Sequence, residues 1–270
     1  MSALDYVLYL FVGSLAGILS GLLGLGGGII LVPALILVFT ANGLSVDVVT
    51  HLAIGTSLAT IVITSATATF THHQVKAVRW DIVRSLVLGL VMGSVLGGLL
   101  ATVLHGHFLQ LVFGCLMIIV ALQLLLTPEI REFSNPSKSR LTGAGVVIGS
   151  LSSLLGIGGG TLTTPFLTSF GTPIRNAVAI SAACGIPIAV AGSLTYGYSG
   201  LTDELLPEHS LGYIFIPAWL CIVLTSMPFA RLGALLVHRI NERLLKQLFA
   251  GIIFVLGIRF VGLNLLVTVG

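Results

Sequence analysis

Long apolar runs separated by short polar or charged stretches fill this chain from one end to the other. In the first half they cover residues 4–23, 28–39, 52–70, 84–104 and 108–126, and in the second half 141–155, 161–170, 175–196, 211–237 and 245–269. Runs this long, with no strict alternation of apolar and polar positions, predict helices and an all-α fold. Most reach the roughly 20 residues that a helix needs to cross the hydrocarbon of a bilayer. The runs 28–39, 141–155 and 161–170 fall well short and read as half-helices.

The second half repeats the first. GILSGLLGLGGGIILVP at 17–33 returns as GSLSSLLGIGGGTLTTP at 149–165, and Ala53-Ile54-Gly55-Thr56-Ser57 aligns with Ala179-Ile180-Ser181-Ala182-Ala183. Further along, Gly97, Leu109 and Phe113 match Gly233, Leu245 and Phe249. The chain therefore reads as a tandem duplication: a transmembrane repeat at 1–126, a polar linker at 127–140 (TPEIREFSNPSKSR) and a second repeat at 141–270. Consecutive glycines followed by Pro33 or Pro165 break a helix more than they serve a packing face, although both roles can hold together. Each glycine run thus predicts a hairpin of short helices that turns near the midplane, with three spanning helices completing each repeat. Irregular backbone at that depth is tolerated only against protein or a wet cavity.

Composition agrees with a lipid environment. Hydrophobic residues make up 56% of the chain and charged residues 8%, with a mean hydropathy of +1.12. A surface compatible with water cannot be built from these residues, so the protein is a multi-pass membrane protein and a soluble enzyme is excluded. Because apolar runs recur throughout, the first belongs to the fold and is not a cleaved signal peptide. The basic residues lie in short loops and act as topology signals, so no nucleic-acid role follows from them. Cys115, Cys184 and Cys221 lie in apolar segments without metal-ligand spacing and read as structural filler. No metal or cofactor is implied.

Charge sets the expected topology. Lys76, Arg79 and Arg84 mark one cytoplasmic loop, Arg131, Lys138 and Arg140 the linker, and Arg239, Arg243 and Lys246 another. The loop 199–212 carries Asp203, Glu204 and Glu208 without Lys or Arg, and the N-terminus offers only Asp5, so both belong outside. The two repeats are then inverted relative to one another, with both chain termini external.

Inverted repeats with interrupted helices are the pattern of a secondary transporter. After each break a half-helix restarts, at Gly26-Gly27-Gly28 and at Gly158-Gly159-Gly160. Its free N–H groups and positive dipole end can receive a small anion without Lys or Arg. Hydroxyl side chains near that level (Ser20, Thr56, Ser57, Thr60, Ser152, Ser153, Thr161, Thr163, Thr164 and Ser181) are candidate ligands or backbone-bonded helix residues, with Ser57 and Thr161 preferred. His51 and Arg175 open equivalent helices as interfacial anchors or anion guides. Arg259 lies within a span as a gating candidate or a structural, snorkelling residue. His72 and His73 close a helix, where they anchor a loop or shuttle protons. No Asp or Glu falls mid-span, which disfavours proton coupling through a buried carboxylate. No Walker A, HExxH or GxSxG motif is present, so neither an ATP-driven pump nor an intramembrane protease is expected.

The doubled motifs LLGLGGGIILVP and LLGIGGGTLTTP, the AIGTS segment, the HHQVKAVRW loop and the LPEHSLGYIFIPA stretch resemble the sulfite exporter TauE/SafE family of prokaryotic permeases. The resemblance covers nearly the whole chain and implies export of sulfite, a sulfonate or a related small organic anion across the plasma membrane. Ser181-Ala182-Ala183 departs from the Gly-Thr-Ser of the first half, which weakens the second half's share of a hydroxyl-lined site. The expected mechanism is alternating access; a passive anion channel and a non-transporting scaffold subunit are the alternatives. The partners expected are a small anion and the lipid bilayer, and the oligomeric state is not written in the sequence.

Overall fold

A computed structural model describes residues 3–24, 26–126, 137–237 and 240–269. These residues form ten helices: α1 (Ala3–Leu23), α2 (Gly28–Ala41), α3 (Val46–Gln74), α4 (Trp80–Thr102), α5 (Gly106–Leu126), α6 (Lys138–Leu155), α7 (Gly160–Ser169), α8 (Ile174–Ser199), α9 (Ile216–Leu236) and α10 (Glu242–Val269). The fold is that of an all-helical polytopic membrane protein. Five helices, α1, α3, α4, α8 and α9, are long and apolar enough to cross a bilayer among the described residues.

Each predicted segment corresponds to a helix, but the expectation for 141–155 needs correction. Ser137 caps α6 by accepting a hydrogen bond from the Arg140 backbone N–H, so the helix starts at Lys138 and reaches 18 residues. At about 1.5 Å per residue that is about 27 Å, but the added first turn is polar and α6 is not among the helices apolar enough to cross. Only the return legs are short, α2 with 14 residues and α7 with 10 residues. Each hairpin therefore pairs a long leg with a half-length one. The linker from 127 to 136, including Arg131, lies outside the described residues, as does Arg239.

Glycines set how the helices approach. On α4 a Cβ at Gly89, Gly93 or Gly97 would strike the carbonyls of Thr142, Val146 and Ser150 on α6, and on α1 a Cβ at Gly17 or Gly21 would strike those of Ser226 and Ala230 on α9. Backbones this close are the small-residue packing of membrane helices. Both pairs run parallel, because the numbers rise together. The central pair is antiparallel: on α3 and α8, Gly55 meets Tyr196, Leu58 meets Gly192 and Ser65 meets Gly185. The outer pair is antiparallel too, with Gly114 of α5 against Val261 and Gly257 of α10 against Ile118. Exchanging the halves maps one set of packings onto the other: α4 on α6 and α4 on α8 become α9 on α1 and α9 on α3.

Two ends of the bundle follow. At one, Arg175 bonds the Ile240 carbonyl (3.2 Å), Asn176 the Ala77 carbonyl (3.0 Å) and Thr142 the Ser85 carbonyl (3.1 Å). At the other, His51 meets the Ala101 carbonyl (2.9 Å), Gln110 bonds Thr50 (2.9 Å) and Asn42 bonds Asp5 (3.3 Å).

Substitution at Gly93 tests this packing. Gly93→Ala drives a methyl group into the Val146 carbonyl and should cost about 1–3 kcal/mol, whereas Gly143→Ala on α6, with nothing within 4 Å, should be neutral or slightly stabilising. Thermal unfolding in detergent reads the difference.

Candidate functional site

The two glycine breaks meet. A Cβ placed on Gly26 would lie 3.2 Å from the Gly158 Cα, and one on Gly28 would lie 2.8 Å from the Ile157 Cα while striking the Gly156 carbonyl. Both Gly26 and Gly28 also press on Ile61, halfway along α3. Gly159 sits against Gly185 and Ile188, halfway along α8. The half-helices α2 and α7 thus start at the centre of the two innermost helices and run outward from there.

Glycine is required locally for a conformational reason. Gly24, Gly26, Gly27 and Gly156 have φ of 68°, 69°, 83° and 68°, the left-handed region that L side chains rarely adopt. Pro33 and Pro165 occupy matching positions within α2 and α7. Lacking an N–H, each frees the carbonyl four residues earlier, those of Ile29 and Thr161.

Hydroxyls of α3 hold both breaks. Ser57 Oγ donates to the Gly156 carbonyl (2.8 Å) and Thr64 Oγ1 to the Gly26 carbonyl (3.0 Å). Of the other residues singled out by sequence, Thr56 Oγ1 accepts from the Phe215 N–H (2.9 Å), and Ser181 pairs with Thr164 (2.9 Å). Thr161 differs from these: its hydroxyl is fully buried and has no protein partner. The same is true of Ser20, Ser65, Ser152, Ser153 and Thr163. Ser20 and Ser152 hold equivalent places in the two repeated motifs. A buried hydroxyl left unpaired costs about 1–3 kcal/mol, so Thr161, next to the second break, is suited to a polar ligand.

The meeting of the breaks brings Gly26, Gly27, Gly28, Gly158, Gly159, Gly160, Ser57 and Thr161 together. His51 stands apart, at the end of α3, tilted over the Tyr213 ring at 5.3 Å between centroids. Arg175 is at the opposite end of the bundle. Arg259 is exposed on α10. Among the described residues Asp5 is the one buried Asp, Glu, Lys or Arg, and it pairs with Asn42 at the bundle end.

Sequence reasoning overlooked Thr64 and Ser65. The signal was there: Ser57, Thr60 and Thr64 recur at helical spacing along one side of α3. It also treated 199–212 as a plain acidic loop. The segment from Gly200 to Phe215 instead folds back on the bundle end, with the Tyr213 hydroxyl donating to the Asp203 carboxylate (2.8 Å). Burial, followed by that carboxylate, pushes the Tyr213 phenol up to about 12, so it stays a donor throughout the physiological range.

A polytopic helical bundle that brings two interrupted helices together at mid-depth defines a membrane transporter. The chain matches the family model described as sulfite exporter TauE/SafE over residues 9–260, and it belongs to that family. It is 35% identical over 254 residues to a "probable membrane transporter protein" of Haemophilus influenzae, covering 93% of this chain and 96% of the relative. A protein of the same description from Methanocaldococcus jannaschii is 29% identical over 255 residues, 93% of each chain. One from Bacillus subtilis is 28% identical over 223 residues, 75% of this chain and 82% of the relative. No solved structure gives a significant match.

Removing the α3 clamps should loosen the site. Ser57→Ala and Thr64→Val should each lower stability by about 1 kcal/mol, read by thermal unfolding. An unchanged melting temperature in the double variant would mean that the breaks are held by packing alone.

Proposed function

We propose that the protein is a secondary transporter that exports a small sulfur-containing or organic anion, such as sulfite or a sulfonate, across the prokaryotic plasma membrane by alternating access. The observation that carries this reading is the meeting of two half-helix N-termini, one of them followed directly by the buried, unpartnered hydroxyl of Thr161, with no buried carboxylate or ammonium beside them among the described residues. Free N–H groups and positive dipole ends stabilise an anion there, and a hydroxyl can donate to its oxygens. Thr161 and Gly158-Gly159-Gly160 are the proposed ligands on one side, Gly26-Gly27-Gly28 those on the other. Ser57, Thr56 and Ser181 shape the site through their present bonds and become ligands where those bonds exchange.

Inverted repeats are part of the proposal. The antiparallel passage of α3 by α8 and of α5 by α10, with each helix the counterpart of the other in the duplication, supports inversion. The starts of α4, α6 and α8, with Lys76, Arg79, Lys138, Arg140 and Arg175 beside them, lie toward one end, and Asp5 with the acidic loop 199–212 toward the other. The positive-inside rule then makes the first end cytoplasmic and both termini external. Exchange of packing between the halves offers two related conformations, one open to each side. The close contact of Gly26 with Gly158 favours a carrier over a channel, since it closes the line along which a continuous pore would run.

Flux of labelled sulfite through proteoliposomes tests the reading. Gly159→Leu, whose Cβ would lie 2.9 Å from Ile188, and Gly27→Leu should abolish flux while the chain still inserts. Thr161→Val should raise the half-saturating concentration about tenfold, the effect of one lost hydrogen bond to a charged ligand. Trans substrate should accelerate exchange. Normal flux in all three variants, or unsaturable currents, would overturn it.

A further inference from the structure

Two regular stripes face one another across a cleft on the outside of the bundle. On α2 they are Ile30, Pro33, Ala34 and Leu37, at helical spacing; on α10, Gly251, Val255 and Arg259 lie along one side with their neighbours. The cleft has a volume of about 450 Å³ and is apolar throughout except for Arg259. Both helices run toward the same end of the bundle. The α2 C-terminus reaches Asn42 beside Asp5, and α10 climbs α5 from Ile118 at Gly257 to Gly114 at Val261, approaching Gln110 beside Thr50.

The cleft therefore begins at mid-depth, where α2 starts, and Ile30 to Leu37 spans about 10 Å of rise. Arg259, eight residues beyond Gly251, closes its outer end. The Arg259 side chain is exposed and has no hydrogen-bond or ion-pair partner among the described residues. From that depth its stem can extend along the apolar wall and place the guanidinium at the headgroup level.

We propose that this cleft is a binding site for an anionic phospholipid, with an acyl chain between α2 and α10 and the headgroup phosphate on Arg259. A guanidinium forms paired hydrogen bonds to phosphate oxygens, and the apolar walls accommodate the part of a lipid tail nearest the headgroup. A second copy of the chain is a poorer occupant. A two-fold contact would repeat the same face on both partners and bring one Arg259 toward the other across a medium of low dielectric. The lining of the cleft shares no residue with the proposed anion ligands. Because α2 carries Gly28 at its other end, a bound lipid would bear on the position of the central break.

Native mass spectrometry of the full, delipidated protein titrated with phosphatidylglycerol or phosphatidylcholine tests this without any transport substrate. One phosphatidylglycerol should bind with at least a tenfold preference over phosphatidylcholine. Arg259→Gln should abolish the preference, Arg259→Lys should retain most of it, and Val255→Trp, which fills the cleft from an exposed position, should remove binding of both lipids. Equal phosphatidylglycerol binding by wild type, Arg259→Gln and Val255→Trp would overturn the proposal. So would a dimer cross-linked through cysteines at Leu37 and Val255 that carries no lipid. Because flux plays no part in the readout, failure here leaves the transport reading standing, and failure of transport leaves this one standing.

Discussion

Backbone that leaves the helix inside a bilayer must find its hydrogen bonds within the protein, and this fold is arranged around that requirement. Two chain segments unwind at the same depth, and neither could do so against lipid. They are placed against one another and against α3, whose Ser57 and Thr64 each satisfy a carbonyl of a different break. Because one rigid helix ties both breaks, movement of either hairpin is coupled to α3. The helix is well suited to that role, being buried along almost its whole length.

The glycine stripes are the second consequence. Bringing the two breaks together draws α1 onto α9 and α6 onto α4, so that the first helix of each half packs on the fourth of the other. Such crossed packing leaves no room for side chains at the contact, hence the repeated glycines at Gly89, Gly93 and Gly97 and at Gly13, Gly17 and Gly21. Lipid offers no hydrophobic force to hold helices together, so van der Waals contact along these lines must supply it. The halves are thereby interlocked and do not form separate bodies side by side.

Much of this was legible in the sequence because membrane helices are written in length and hydropathy. The helices and the two glycine breaks follow from apolar runs and from glycine where glycine is costly. The length of α6 was not legible, since its first turn is polar (Ser137, Lys138, Ser139, Arg140) and is set by a cap instead of by hydrophobicity. Within the candidate site the glycines and Thr161 could be read, but not which hydroxyls would be bonded. A serine such as Ser57 has the same sequence signature whether it meets a ligand or a carbonyl 99 residues away. The inward fold of Gly200 to Phe215 depends on long-range contacts, Phe215 with Thr56 and Tyr213 with His51, to which local pattern gives no access.

The departures from symmetry indicate where the two halves have taken different roles. In α7 the residues after the break are Thr161, Thr163 and Thr164, where α2 has Ile29, Leu31 and Val32. In α3 the clamp is Ser57, where α8 has Ala183. The first half, through Ser57 of α3, therefore holds the break whose half-helix carries the unpartnered Thr161 and Thr163. A symmetric pair of breaks would present the same side-chain donors on both half-helices. Here the side-chain donors lie on one half-helix, and the matching places on the other are apolar. Under the proposed reading, an anion at this point meets backbone N–H groups at both breaks but side-chain hydroxyls on the second half-helix alone.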